Sequence, residues 1–284
     1  MHADRPKDDT QAQSSSLSID REPSQPQAPA QDGGPSPAPN DGDGQRTASV
    51  VAEMPVRKTG AGVRGRFITF EGGEGSGKST HCKLLADRLQ TLGIEVILTR
   101  EPGGSPGAEA IRYVLMSGAA KPLGPEAEAL LFAAARADHV RTTIEPALTR
   151  GAWVVCDRFV DSTRVYQGTL GHVDPRFIHA LERVTVADLK PDLTFMLDVP
   201  AEVGLARAGK RRGEATADRF EAESLATHQE LREAYRLLVV SEPARCIMID
   251  ATEPKSAVAD RIWKTVNERL SPATAPALLI GAVS

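Results

Sequence analysis

The sequence predicts an α/β fold: a five-stranded parallel sheet with helices on both faces. Two observations carry this. Five short, continuously apolar runs alternate with stretches of helical periodicity, the pattern of strands buried on both sides by crossover helices. The first run also leads directly into Gly72-Gly73-Glu74-Gly75-Ser76-Gly77-Lys78-Ser79-Thr80, where Gly72 and Gly77-Lys78-Ser79 satisfy the phosphate-loop spacing G-x-x-x-x-G-K-[ST].

Residues 1–62 are rich in Pro, Gln, Ser, Gly, Asp and Ala and nearly empty of aromatic residues, so they cannot bury enough apolar surface to fold. They predict a disordered extension ahead of a globular domain at 63–270, with a loose tail at 271–284. The start, Met1-His2-Ala3-Asp4-Arg5, lacks the apolar stretch of a secretion signal. The first strand is expected at 66–70. The helix after it begins near Ser79, carries Leu85, Leu89 and Leu92 on one face, and stops at Gly93. A strand at 96–99 runs into the turn Arg100-Glu101-Pro102-Gly103-Gly104. Helices are expected at 106–116 and 125–150, the second kinked at Pro146. A third strand at 153–156 ends in Asp157-Arg158-Phe159, and Asp174-Pro175 opens a helix to about 188. The fourth strand is placed at 193–197. A helix at 201–208 leads into the basic loop Lys210-Arg211-Arg212-Gly213. Ser224 opens a helix to about 240, 246–249 forms the fifth strand, and 256–270 the last helix.

The phosphate-loop spacing has a physical meaning. Glycines let the backbone turn through positive φ and approach an anion closely, and the amides of the loop and the following helix N-terminus point at it. Lys78 adds a full positive charge for the β- and γ-phosphates, and the Ser79 hydroxyl can ligate Mg²⁺. In a parallel sheet the ligand lies beyond the strands' C-terminal ends, where Arg100-Glu101, Asp157-Arg158 and Asp198 also fall. Asp157, closing an apolar strand, is suited to hold Mg²⁺ or its water. Arg100, Arg136, Arg158, Arg211 and Arg212 are all expected in loops or near strand ends. Phosphoryl transfer needs two phosphates in line and their spread charge neutralised, so this set suggests a second, phosphorylated substrate opposite ATP.

Other classes are disfavoured. With 284 residues, 40% hydrophobic, and a net charge of −4, the chain does not look like a nucleic-acid-coating or membrane-surface protein. No apolar run is long enough to span a bilayer. Cys82, Cys156 and Cys246 form neither a disulfide framework nor a zinc pattern, which fits a reducing cytoplasm. His81, His139, His172, His179 and His228 lack metal-type spacing and are expected on the surface or in helix packing. Glu101 is expected to orient its neighbour Arg100. The globular part has no N-K-x-D guanine motif and no D-x-x-G switch, which argues against a regulatory NTP-binding switch. A kinase for some other nucleoside monophosphate stays open from the residues alone.

Several segments, in this order, resemble the bacterial thymidylate kinase family: 70–80, 99–104, Leu131-Phe132-Ala133-Ala134-Ala135-Arg136, Asp157-Arg158-Phe159, Ser162-Thr163 with Tyr166-Gln167-Gly168, Pro191-Asp192-Leu193-Thr194 and Leu197-Asp198. The resemblance covers 67–270. It implies the P-loop NTPase, nucleoside-monophosphate-kinase fold with a short lid at about 209–219, and the reaction ATP + dTMP → ADP + dTDP with Mg²⁺. By the same resemblance, residues Gly72 to Thr80 would bind ATP, and Ser79 and Asp157 the metal. Arg100 and Arg158 would grip the dTMP phosphate. Phe132 would stack on thymine, Arg136 would bond its O4, and Ser162, Thr163 and Gln167 would complete the pocket. Tyr166 would crowd the 2′ position and Glu74 would lie near the 3′-hydroxyl. The phosphate loop lacks an arginine, so the lid would supply the catalytic one, Arg212 first and Arg211 second. Phe159 replaces the family's more usual tyrosine. Relatives pair as homodimers, and no nucleic acid or membrane partner is implied.

Overall fold

A computed structural model describes residues 64–213 and 220–272. The expected extension at 1–62, the tail from 273 and the middle of the lid at 214–219 lie outside the described residues. The sheet is fully parallel in the order β2-β3-β1-β4-β5, with β1 Phe67–Glu71, β2 Val96–Arg100, β3 Trp153–Asp157, β4 Leu193–Asp198 and β5 Cys246–Asp250. β1 is central and buried along its whole length, as its unbroken apolar run requires. Its side chains alternate: Ile68 and Phe70 join the core with Leu85 and Leu89 of α1 (Lys78–Thr91) and Ile262 of α9 (Lys255–Leu270), while Phe67 faces Ile144, Leu148 and Phe159. Each such buried side chain is worth roughly 1.5–3 kcal/mol, so the phosphate loop departs from a strand anchored on both faces. The chain leaves β1 towards β2 and later crosses to β4 on the other side, which opens a crevice at the C-terminal ends of β1 and β3. No helix among the described residues is long and apolar enough to cross a membrane.

The helix α2 (Pro106–Met116) matches its expected limits. Four other elements differ from expectation. The long helix at 125–150 is α3 (Pro125–His139), a π-helical turn at Val140–Ile144, and α4 (Glu145–Thr149). The wider turn sits just ahead of Pro146, which has no N–H to continue an i→i−4 ladder, so the irregularity falls one turn before the proline. A segment given no element is helical: α5 (Val160–Thr163) continues as π-helical turns over Arg164–Leu170. The helix α6 (Pro175–Thr185) stops three residues early, near Ala187 at φ 47°. Asp174 caps it as expected, accepting from the Arg176 amide.

The basic stretch at 210–212 is not a loop. It forms the last turn of α7 (Ala201–Arg212), where cations complement the helix dipole. Ser224 caps α8 (Leu225–Ser241) through the Thr227 amide at 3.1 Å.

Candidate active site

Gly72, Gly75 and Gly77 all take positive φ (132°, 66° and 94°), which lets the loop curl over the end of β1. Lys78 is buried inside that curl. Its ammonium donates to the Gly72 carbonyl at 3.0 Å and the Gly73 carbonyl at 2.8 Å. Burial and the nearby Arg158 lower its pKa, opposed by Glu74, Asp157 and Glu71. Ser79, at the start of α1, donates from its hydroxyl to Asp157 Oδ2 at the end of β3. One hydroxyl and one carboxylate are hard oxygen donors of the kind Mg²⁺ takes alongside substrate phosphates. No group of three or more His, Cys, Asp or Glu among the described residues could form a self-sufficient cage. The pair therefore fits a phosphate-bridged Mg²⁺.

Arg158 reaches across the cleft floor. Its Nη1 donates to the Gly72 carbonyl, Ser162 Oγ and the Tyr235 hydroxyl, each at 3.2 Å, and Nη2 to Glu74 Oε1 at 2.6 Å. Burial alone would raise the Glu74 pKa, but Arg158 and Lys78 overcome it and hold the carboxyl at about 2. Glu71 behaves oppositely. It is fully buried, and burial followed by the charge of Asp161 pushes it up to about 7, against the pull of Arg158 and hydrogen bonds from Ser162 and Phe159.

A cleft of about 360 Å³ runs from Lys78, Ser79 and Thr80 to Phe132, Tyr166 and Phe220, with Glu71 buried behind it. Glu74, Gly75, Gly77, Arg100, Asp157, Arg158, Ser162, Thr163 and Gln167 face it too, so most of the expected set converges. The aromatic end is built from three elements. The Tyr166 ring meets Phe220 edge-on at 5.3 Å, Phe132 lies 6.3 Å from Phe220, and the Arg158 guanidinium rests 5.2 Å over Tyr166. Gly73 and Ser76 lie on the loop's far side, where the Ser76 side chain is buried. Arg100 stands half-exposed at the mouth, its Nη2 paired with Glu109 at 3.0 Å.

Four residues sit otherwise than expected. Glu101 does not orient Arg100: its Oε2 accepts from Arg136 Nε at 2.7 Å and its Oε1 pairs with His139 Nδ1 at 3.0 Å, all three side chains buried. Arg136 thus sits behind the cleft wall, tying Glu101 to Thr163 Oγ1 at 3.1 Å, rather than lining the cleft itself. His139 is wholly buried in this network and meets Thr99 Oγ1 at 2.8 Å, more than a packing role. Finally, of the two lid arginines Arg211 lines the cleft and Arg212 does not. Both are paired with Glu221, at 3.0 and 2.5 Å.

Sequence reasoning missed Glu71, Arg112, Phe220 and Tyr235. Arg112 lines the cleft and donates to the Pro102 carbonyl at 2.7 Å. Glu71 had a signal, a carboxylate closing an apolar strand as Asp157 does. Tyr235, in the middle of an ordinary amphipathic helix, had none.

A phosphate loop on the central strand, a facing arginine cluster and an aromatic slot define the class: a P-loop protein with the nucleoside-monophosphate-kinase fold. The family model for thymidylate kinase matches residues 70–262, most of the described domain. The thymidylate kinase of Bradyrhizobium diazoefficiens is 62% identical over 212 residues, covering 75% of this chain and 93% of the relative. That of Nitrobacter winogradskyi is 61% identical over 75% of this chain and 92% of its own length. The crystal structure of thymidylate kinase from Ehrlichia chaffeensis superposes with a TM-score of 0.59 at 31% identity, covering 72% of this chain and 99% of that one. The chain belongs to the thymidylate kinase family.

Proposed function

We propose that this chain transfers the γ-phosphoryl group of ATP to dTMP, giving ADP and dTDP, with both nucleotides in the one cleft. The observation that carries the reading is the cleft's two-ended chemistry, phosphate loop and Lys78 at one end, three aromatic rings at the other, with Arg158 between them. ATP phosphates would replace the Gly72 and Gly73 carbonyls as partners of Lys78, and the loop amides would hold the rest. Ser79 and Asp157 would hold Mg²⁺, which neutralises charge on the β- and γ-phosphates when bound. Arg158 and Arg211 face the region between the ends, where they can stabilise charge on the transferring group. Arg100 and Arg112 also line the cleft and would meet an acceptor phosphate.

At the aromatic end, Phe132 offers a face for a base, and Gln167, Ser162 and Thr163 offer polar edges. Arg136 would act on the base through Glu101 and Thr163 or reach it on their movement. Tyr166 donates to Glu74 at 3.3 Å, so the two form one wall against the sugar. The homodimer implied by resemblance has a candidate face in the exposed Tyr113 and Val114 of α2 and Leu130 of α3.

A coupled assay offering dTMP, dUMP, CMP, AMP and GMP with ATP and Mg²⁺ tests the reading. Fastest turnover is expected with dTMP; faster turnover of AMP or GMP rejects it.

A further inference from the structure

Arg158 holds a left-handed backbone conformation, φ 71°, which a non-glycine residue keeps only where its surroundings enforce it. Glu71 is that enforcement. Its Oε1 accepts the Phe159 amide at 2.7 Å and the Ser162 amide at 3.3 Å, binding two backbone N–H groups just after the strained residue. Its Oε2 accepts the Ser162 hydroxyl at 2.6 Å and the Tyr235 hydroxyl at 3.1 Å. The same Tyr235 oxygen accepts from Arg158 Nη1 at 3.2 Å. A hydroxyl that receives from a guanidinium and gives to a carboxyl oxygen has both its direction and its proton fixed. Tyr235 is 3% exposed and packs with Val165, Met196 and Leu231, so its ring is not free to turn away.

We propose that Tyr235 is a positioning residue for phosphoryl transfer: its hydroxyl, braced by Glu71, fixes the Arg158 guanidinium against the transferring group. The proposal rests on the kinase reading above and adds a residue to it from α8, an element with no part in the phosphate loop or the Asp157-Arg158 turn. It also makes the arginine's placement sensitive to the charge on Glu71. The titratable groups facing that carboxyl are Lys78 and Cys82 from α1, Cys156 from β3, Arg158 and Asp161 after it, Tyr166, Tyr235 from α8, and Cys246 from β5. A hydroxyl donating to the ionised carboxylate favours the charged form, so its removal drives the Glu71 pKa further up.

The test is steady-state kinetics of the full chain carrying Tyr235→Phe, with ATP, dTMP and saturating Mg²⁺ from pH 5.5 to 9. We expect kcat to fall about tenfold, as loss of one hydrogen bond to a charged group predicts, with both KM values within about twofold of wild type. The acidic limb of the kcat profile should move to higher pH, and in Glu71→Gln, which cannot ionise, it should vanish. Near-normal kcat in Tyr235→Phe overturns the proposal, as does an acidic limb that stays in place or persists in Glu71→Gln. So does a loss spread over kcat and both KM values, the pattern of general structural damage. Absence of dTDP formation by the wild-type chain would instead reject the kinase reading itself.

Discussion

Gly204 lies inside α7, where replacing glycine by alanine ordinarily stabilises a helix by about 1 kcal/mol. Here the opposite is expected. A Cβ on Gly204 would overlap the carbonyl oxygen of Glu74 in the phosphate loop and sit 3.3 Å from Val199 Cγ1. The contact is reciprocal, since a Cβ on Gly75 would fall 2.7 Å from the Gly204 carbonyl carbon. Both obstacles are backbone, so no side chain can swing aside. Restoring normal contact requires the loop to retreat by about 1 Å. Overpacking of this kind costs about 1–3 kcal/mol, enough to cancel or exceed the helix gain. A shift of that size at the phosphate site can cost about a hundredfold in rate. Gly204→Ala should therefore lower kcat/KM for ATP by one to two orders of magnitude and leave Tm unchanged or reduced. Gly209→Ala in the same helix is the control, because its Cβ would meet only the end of the Arg212 side chain at 3.8 Å. It should raise Tm slightly and keep full activity. A Gly204→Ala enzyme that is more stable and equally active would refute the claim that α7 sets the loop's position.

Three further outcomes are expected. Arg158→Ala should lower kcat by orders of magnitude, since removing a charge partner of the transition state typically costs about 3–4 kcal/mol; near-normal turnover would contradict its role. Glu71 has a folded pKa raised from 4.5 to about 7, so its contribution to stability is fully present below pH 4.5 and is lost as pH rises through 7. Urea unfolding at pH 5 and pH 8 should show Glu71→Gln gaining on wild type at the higher pH, by on the order of 3 kcal/mol, and an unchanged difference would contradict the raised pKa. Tyr166→Phe should alter ribonucleotide discrimination little, whereas Tyr166→Ala should relax it; an Ala variant that still refuses ribothymidine monophosphate in a competition assay shows the ring is not what excludes the 2′-hydroxyl.

The strands were legible because each is a largely apolar run of about five residues, and the central β1, β3 and β4, buried on both faces, leave little other reading. The phosphate loop was legible because its glycines and Lys78 are tied to one geometry. The segment Val160–Leu170 was not: β-branched Val160, Thr163 and Val165 beside Gly168 have weak helical propensity, and tertiary contacts of Asp161 with Arg245 and Arg164 with Glu182 hold the turns. Glu101 was misassigned for a different reason. Adjacent residues in an extended strand point to opposite faces, so Arg100 goes to the cleft mouth while Glu101 turns inward to Arg136 and His139. The expected order of the lid arginines, Arg212 ahead of Arg211, took them for a loop; the helix that carries them runs further than its apolar pattern and turns Arg211, not Arg212, into the cleft.

The central claim, that two nucleotides lie end to end in one cleft, is tested most directly by titration calorimetry with adenosine and thymidine joined through five phosphates. Binding is expected at one molecule per chain, at least a hundredfold tighter than ATP or dTMP alone, with both substrates displaced. An affinity no better than that of ATP, or dTMP still binding to the saturated protein, would contradict it.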